Sequence, residues 1–96
     1  MFQGYVSKRS EKVVASAATI AADADQLVVT GSVAIVNITP KVGGIASQEL
    51  TLIPLAALTC TAAGNIAVAV TFVVNRATVL VFSKSQGKWY PQIAAV

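Results

Sequence analysis

Apolar and polar positions alternate along most of the chain, in short segments that are separated by turn-forming residues. Val, Ile and Thr are frequent in these segments, and β-branched side chains favour the pleated surface of a sheet. Turn formers such as Gly31, Pro40 and Gly87 recur at intervals of roughly 8 to 12 residues, which is typical of an all-β sandwich or barrel. The pattern predicts strands over residues 17–21, 26–30, 33–38, 49–54, 58–61, 66–68, 71–74, 77–83 and 88–93. We therefore expect a compact antiparallel β-sandwich or barrel of about 7–9 short strands.

Two alanine-rich segments, residues 15–24 and 55–57, could instead support a helical turn. Neither has a capping signal or a helical stripe of large apolar side chains. Both are therefore predicted to be strand or loop.

Several of the predicted strands are apolar on both faces. In residues 77–83, the side chains of Val79 and Val81 share one face, and those of Leu80 and Phe82 share the other. A sheet with one face in water normally alternates cleanly between apolar and polar residues. The chain is too short to cover both faces with its own layers, so one face is expected to lie against a neighbouring chain.

The first residues differ from the rest of the chain. Residues 1–16 hold four of the few charged side chains and no persistent alternation, which predicts an N-terminal arm followed by one β domain over residues 17–96. Such an arm is ordered only when something ties it down. The charged residues of this arm are Lys8, Arg9, Glu11 and Lys12, and its aromatic residues are Phe2 and Tyr5.

The composition changes the picture further. The 96 residues are 55% hydrophobic and only 11% charged, with no histidine, whereas soluble domains are roughly a quarter charged. This excludes a disordered chain and any chemistry that needs histidine. A spanning helix would need about 20 apolar residues, and the longest run without a polar side chain, residues 53–58, contains Pro54. We expect no membrane partner, a product made in the cytoplasm, and an obligate oligomer whose copies cover each other's apolar surface.

Candidate chemistry is sparse. Asp23 and Asp25 could share a face, but a calcium ion wants six or more oxygen ligands, so a solvated turn is expected. Cys60 lacks a histidine base, and Gly43-Gly44 lacks the lysine and helix of a phosphate loop. We predict no enzyme activity, no catalytic residue, no cofactor and no metal site.

The basic residues and the aromatic pair suggest partners of another kind. The net charge is +3, but the basic residues are spread thinly, so nucleic acid is not expected as a partner.

Trp89 and Tyr90 point to opposite faces if they lie on a strand. They are therefore the candidates for the subunit interface, with the alternative that one fills the core and the other meets a subunit boundary.

One set of turns and aromatics consists of Gly44-Ile45, Leu50-Thr51-Leu52-Ile53-Pro54, Leu58-Thr59, Thr61-Ala62-Ala63-Gly64-Asn65-Ile66, Thr71, Val74-Asn75-Arg76-Ala77, Phe82 and Lys88-Trp89-Tyr90-Pro91. This pattern resembles the small β domains of tailed-bacteriophage virion proteins, and the likeness covers about residues 18–92. Asn75 stands where the pattern often has glycine, and Asn also tolerates a positive φ. Gln86-Gly87 stands where Asp-Gly is common.

The resemblance implies a homotrimeric virion component without a small-molecule substrate. A short arm plus one domain fits a capsid decoration, or cement, protein that binds the outer surface of the shell and stabilises it. The arm residues Phe2, Tyr5, Lys8, Arg9 and Lys12 would then contact the major capsid protein. The alternative is a tail-fibre or baseplate accessory domain with a receptor- or glycan-binding role.

Overall fold

The computed structural model describes residues 10–41 and 47–92, and these residues form strands and loops without a helix. The prediction of an all-β protein is therefore confirmed. The strands are β1 (Glu11–Ala15), β2 (Thr19–Ala21), β3 (Gln26–Thr30), β4 (Asn37–Thr39), β5 (Ser47–Pro54), β6 (Thr59–Cys60), β7 (Val70–Thr71), β8 (Thr78–Ser83) and β9 (Lys88–Pro91).

The largest sheet has five strands in the order β1-β3-β5-β8-β9. Its first three strands are parallel, with Glu11 opposite Gln26 and Gln26 opposite Thr51. Parallel neighbours cannot be joined by a tight turn, because the chain must return to the same end of the sheet. The segments between these strands contain β2 and β4, which pair with each other in parallel as a separate two-stranded sheet.

The other half of the large sheet is antiparallel. Glu49 lies opposite Val81, and Val81 lies opposite Tyr90. The loop between β8 and β9 closes with a hydrogen bond of 2.8 Å from the Gly87 N–H to the Ser83 carbonyl, and Gly87 has a φ of 67° that glycine adopts without strain. Asn75, in the loop before β8, has a φ of 64°, in agreement with the tolerance expected for asparagine at that position.

One cluster of buried side chains is shared by the large sheet and the short strand pairs. The large sheet contributes residues such as Leu27, Leu52 and Leu80, and the short strands and their flanking segments contribute residues such as Ile38 and Cys60. Burial of an aliphatic side chain of this size stabilises a fold by roughly 1.5–3 kcal/mol. The core is therefore what fixes the inner face of the large sheet. Its members are Ile20, Ala22, Ala24, Leu27, Val29, Ile35, Ile38, Leu50, Leu52, Leu58, Cys60, Ile66, Phe72, Leu80, Phe82 and Trp89.

Two predictions about the fold need correction. Residues 11–15, predicted to belong to the arm, form the edge strand β1, which is held by its ladder with β3. The expectation of antiparallel pairing is wrong for β1, β3 and β5 and for β2 with β4, because the turn-forming residues after these strands start crossovers and not hairpins. Strand boundaries also shift, most at residues 66–68, where Ile66 makes only an isolated bridge to Trp89.

Candidate interaction surface

Trp89 and Tyr90 point to opposite faces of β9, as expected for neighbours on a strand. The Trp89 side chain is fully buried, and its ring centroid lies 5.1 Å from that of Phe82. Its Nε1 donates a hydrogen bond of 2.9 Å to the carbonyl of Ile38. Trp89 is therefore a core residue, and we withdraw it from the interface candidates. Tyr90 is 42% exposed on the other face and remains one.

A polar network around Trp89 is not predicted by the sequence pattern, although Gly64 and Asn65 are among the residues that carry the resemblance. Asn65 acts as an extra strand partner for Ile38, because its Oδ1 accepts from the Ile38 N–H (2.8 Å) and its Nδ2 donates to the Ile38 carbonyl (2.7 Å). The Asn65 N–H donates to Asn37 Oδ1 (3.1 Å), and the Asn65 carbonyl accepts from the Trp89 N–H (2.8 Å). No local pattern signals these contacts, since Asn65 and Ile38 are far apart in sequence.

The face of the large sheet that points away from the core is called the outer face here. Cross-strand partners share a face, so the strand registers define its members. Apart from Thr51, its side chains are exposed or half-buried. The outer face comprises Glu11, Val13, Ala15, Gln26, Val28, Thr30, Ser47, Glu49, Thr51, Ile53, Val79, Val81, Ser83, Lys88 and Tyr90.

Apolar side chains form two groups on the outer face, and together they are called the apolar patch here. Val13, Val28 and Ile53 are direct neighbours on β1, β3 and β5. Val81 and Tyr90 are direct neighbours on β8 and β9. Val13 is 67% exposed, the largest exposed fraction among the large hydrophobic residues described. Exposed contiguous apolar patches commonly mark interaction sites, which makes this face the candidate interface.

A second group of exposed apolar residues lies in loops at one end of the large sheet, and we call it the apolar end. It consists of Val33, Leu55, Val73 and Val74. Two backbone hydrogen bonds bring the loops together there, from the Leu55 N–H to the Val29 carbonyl (3.0 Å) and from the Asn75 N–H to the Pro54 carbonyl (2.8 Å). The molecule therefore presents apolar surface on a sheet face and on a sheet end.

The paired carboxylates Asp23 and Asp25 are each held by a lysine. Lys12 Nζ lies 2.7 Å from Asp23 Oδ2, and Lys41 Nζ lies 2.9 Å from Asp25 Oδ1. Asp25 Oδ2 also accepts a hydrogen bond from the Ser10 N–H (3.1 Å). The Lys12 hydrogen bond lowers the pKa of Asp23, and the hydrogen bonds from Lys41 and Ser10 lower the pKa of Asp25. These contacts attach the start of β1 to the domain.

The folding stability is expected to depend on pH through the carboxyl group of Asp25. Its pKa is lowered in the folded state, so its contribution to stability is present above the unfolded pKa and is lost as the pH falls through the folded pKa. We expect the wild type to lose more stability between about pH 5 and pH 2 than Asp25→Asn or Lys41→Met does, by at most about 1 kcal/mol because the pair is exposed. Urea denaturation at a series of pH values measures this. Superimposable pH profiles for all three proteins would contradict it.

The described residues offer little catalytic chemistry. Cys60 is buried, and burial raises the pKa of its thiol to about 12, so the nucleophilic thiolate is scarce at neutral pH. No group of three or more His, Cys, Asp and Glu in residues 10–41 and 47–92 could hold a metal ion. A shallow groove of about 400 Å³ is lined by Ala21, Ala22, Asp23, Thr39, Pro40 and Lys41. Its two charged residues are engaged in the ion pairs above.

Only one of the five predicted arm contacts belongs to the described residues. Phe2, Tyr5, Lys8 and Arg9 lie outside the described residues. Lys12 lies on the edge strand β1, where its ammonium group binds Asp23. The structure therefore separates Lys12 from Tyr90, since Tyr90 lies on the outer face and the register puts Lys12 on the side of Leu27.

Comparison with known protein families, with curated proteins and with solved structures gives no match to this chain. In the part of the chain that the structure describes, no helix has the length and apolar character needed to cross a bilayer. A functional proposal therefore rests on the surfaces described above and on the resemblance of residues 18–92.

Proposed function

We propose that this chain is a non-enzymatic structural protein of a bacteriophage virion, a homotrimer that decorates the outer surface of the capsid and stabilises it. The observation that carries the oligomeric part is the apolar patch on the outer face, where Val13 and Tyr90 are exposed, on a chain that is only 11% charged. A lone copy in water would leave this patch exposed, which is uncommon for monomeric proteins. The capsid setting is supported by the resemblance alone.

The proposal includes a finer description of the fold. The large sheet and the two short strand pairs share one buried cluster, which supports a small β-sandwich with the N-terminal arm attached at one edge. Two packed layers around one core are the usual solution for a domain of this kind. The outer face of the large sheet is then left for contact with other chains.

Decoration would stabilise the shell by mass action. A ligand that binds the assembled shell and not its free subunits raises shell stability by RT ln(1 + [L]/Kd). A trimer makes three attachments at once, so individually weak contacts combine into tight binding. Such a mechanism needs no catalytic residue, only surfaces that hold together several capsid subunits.

In this proposal the arm ends before Ser10. The Asp25 carboxylate binds the Ser10 N–H, and β1 begins at Glu11. A truncation that extends beyond Ser10 would therefore remove an edge strand together with the arm. Lys12 belongs to that strand and is paired with Asp23, so the proposed capsid contacts narrow to Phe2, Tyr5, Lys8 and Arg9.

Deleting residues 1–9 is expected to abolish binding to expanded capsids of the parent phage and to leave the trimer intact. The deletion removes the proposed contacts and spares β1. Co-sedimentation with capsids measures binding, and light scattering measures the trimer. Lys84→Glu, which changes an exposed charge on the β8–β9 loop, is the matched control and should bind normally.

Two experimental outcomes would change the proposed function. A truncated protein that still co-sediments with capsids would remove the arm from the mechanism. A reconstruction of the parent particle that places the protein at the tail would favour the fibre or baseplate alternative. The burial of Trp89 leaves only Tyr90 of the aromatic pair exposed, which weakens the case for a glycan-stacking platform.

A further inference from the structure

We infer that the outer face is the contact between copies of this chain, and that Glu49 of one copy lies against Lys88 of the next. The inference rests on the homotrimer proposed above and names the surface that would hold it together. It commits to a second copy of the chain as the partner. Three observations carry it: the apolar patch, the positions of Glu49 and Lys88, and the absence of an ion-pair partner for either of them among the described residues.

Glu49 and Lys88 lie on the same face and on either side of part of the apolar patch. Glu49 is opposite Val81, and Val81 is opposite Tyr90, while Lys88 is opposite Ser83, two residues further along β8. Glu49 and Lys88 are therefore two strands and two residues apart, or about 12 Å at ordinary strand spacings. Both are exposed, and no ion pair joins them within one copy, since the two salt bridges of the described residues lie elsewhere.

Neither charge has an ion-pair partner among the described residues, whose two salt bridges join Lys12 to Asp23 and Lys41 to Asp25. A charge that is covered by a partner without a counter-charge costs several kcal/mol of desolvation. An acidic partner would be repelled by Glu49, and a basic one by Lys88. A face that carries both signs is matched by a partner with both signs, and another copy of the chain, which carries Glu49 and Lys88 at different places on its surface, meets this requirement.

The symmetry of a closed ring of three copies determines how Glu49 and Lys88 meet. In a closed ring of three, each copy contacts its neighbours through different parts of its surface, so a residue i of one copy meets a residue j of the next. One edge of the outer face, with Lys88 and Tyr90 on β9, would then contact the central strand of the neighbour, where Glu49 lies. The same pair would recur at each of the three contacts.

The test is a charge reversal with rescue. Wild type is expected to be a trimer at micromolar concentration by sedimentation velocity. Glu49→Lys and Lys88→Glu should each place like charges in contact and weaken association by roughly 10-fold or more, and the double variant Glu49→Lys/Lys88→Glu should restore most of it. Val73→Lys, which adds a charge to an exposed position at the apolar end, is the control and should leave association unchanged. Circular dichroism verifies that each variant is folded.

Each outcome decides a different point. A wild type that is monomeric would overturn the proposed homotrimer and this inference with it. A trimeric wild type with single variants that associate equally well would overturn the outer face as the contact and leave the homotrimer standing. Single variants that dissociate without rescue in the double variant would overturn the pairing of Glu49 with Lys88. Weakening by each single variant, rescue by the double variant and a normal Val73→Lys control would support the inference.

Discussion

Replacing Trp89 by alanine is expected to cause the largest loss of stability of any single substitution in the large sheet. The side chain is fully buried and packs on Phe82, and truncating a buried aromatic to alanine costs about 3–5 kcal/mol. The carbonyl of Ile38 also loses the hydrogen bond from Nε1. Since a domain of this size has a total stability of roughly 5–15 kcal/mol, the midpoint of urea denaturation should fall sharply.

Two further variants separate the contributions to stability. The first distinguishes the packing of the Trp89 ring from its hydrogen bond, and the second distinguishes the folding of one copy from the association of copies. Trp89→Phe keeps an aromatic ring beside Phe82 and should cost less than Trp89→Ala. Tyr90→Ala, at the exposed neighbour, should change the unfolding of a single copy by less than about 1 kcal/mol. All variants must be compared at one protein concentration, because association adds to apparent stability. A Trp89→Ala protein as stable as wild type would contradict the position of the indole in the core.

The sequence allowed the strand content to be predicted, because strands follow from local alternation. Residues 26–30 were predicted as a strand and form β3, with Leu27 and Val29 buried and Val28 on the other face. The same alternation indicated that residues 77–83 have two apolar faces. The structure identifies Leu80 and Phe82 as the inner pair and Val79 and Val81 as the outer pair.

The edge strand could not be predicted in the same way. No side chain of β1 is fully buried, and only Val14 is half-buried. What holds β1 is its hydrogen-bond ladder with β3 and the contacts of Ser10 with Asp25. These partners are distant in sequence, so the strand leaves no periodic signal in residues 11–15. Its charged residues Glu11 and Lys12 are typical of a protected sheet edge.

The direction of strand pairing also depends on contacts that sequence patterns do not contain. Gly31, with a φ of 81°, turns the chain after β3, and such a residue is compatible with a hairpin and with a crossover alike. The choice depends on the two-stranded sheet of β2 and β4, where Ile20 and Ile38 are opposite each other and both enter the core. Parallel order in the large sheet is thus a consequence of core packing.

Two residues of the resemblance pattern form hydrogen bonds across the core. Asn65 and Trp89 both bind the carbonyl of Ile38, through Nδ2 at 2.7 Å and Nε1 at 2.9 Å. The pattern therefore contains residues that connect β4 to β9 across the core. These residues therefore have a structural role within this chain, and this role says little about a binding partner.

Gly64→Ala is expected to have the second largest effect, because no space exists for a side chain at this position. A Cβ there would collide with the Asn37 side chain, including Oδ1, and with the carbonyl oxygen of Val36. Neither neighbour is free to retreat, since the N–H groups of Val36 and Asn37 both donate to the Ala18 carbonyl, at 2.8 and 2.9 Å. The collision would also disturb the bond from the Asn65 N–H to Asn37 Oδ1.

We expect Gly64→Ala to cost about 3 kcal/mol, from overpacking and from the damaged hydrogen-bond network together. Urea denaturation measures the loss. Gly87→Ala is the matched control, because a Cβ at Gly87 meets open space and only the φ of 67° is strained, which costs about 1–2 kcal/mol. Asn37→Ala in the Gly64→Ala background should cost less than the sum of the two single losses, because the first change removes the side chain that the second would strike. Equal losses for Gly64→Ala and Gly87→Ala, with strict additivity in the double variant, would mean that the close approach of Gly64 to Asn37 does not exist in solution.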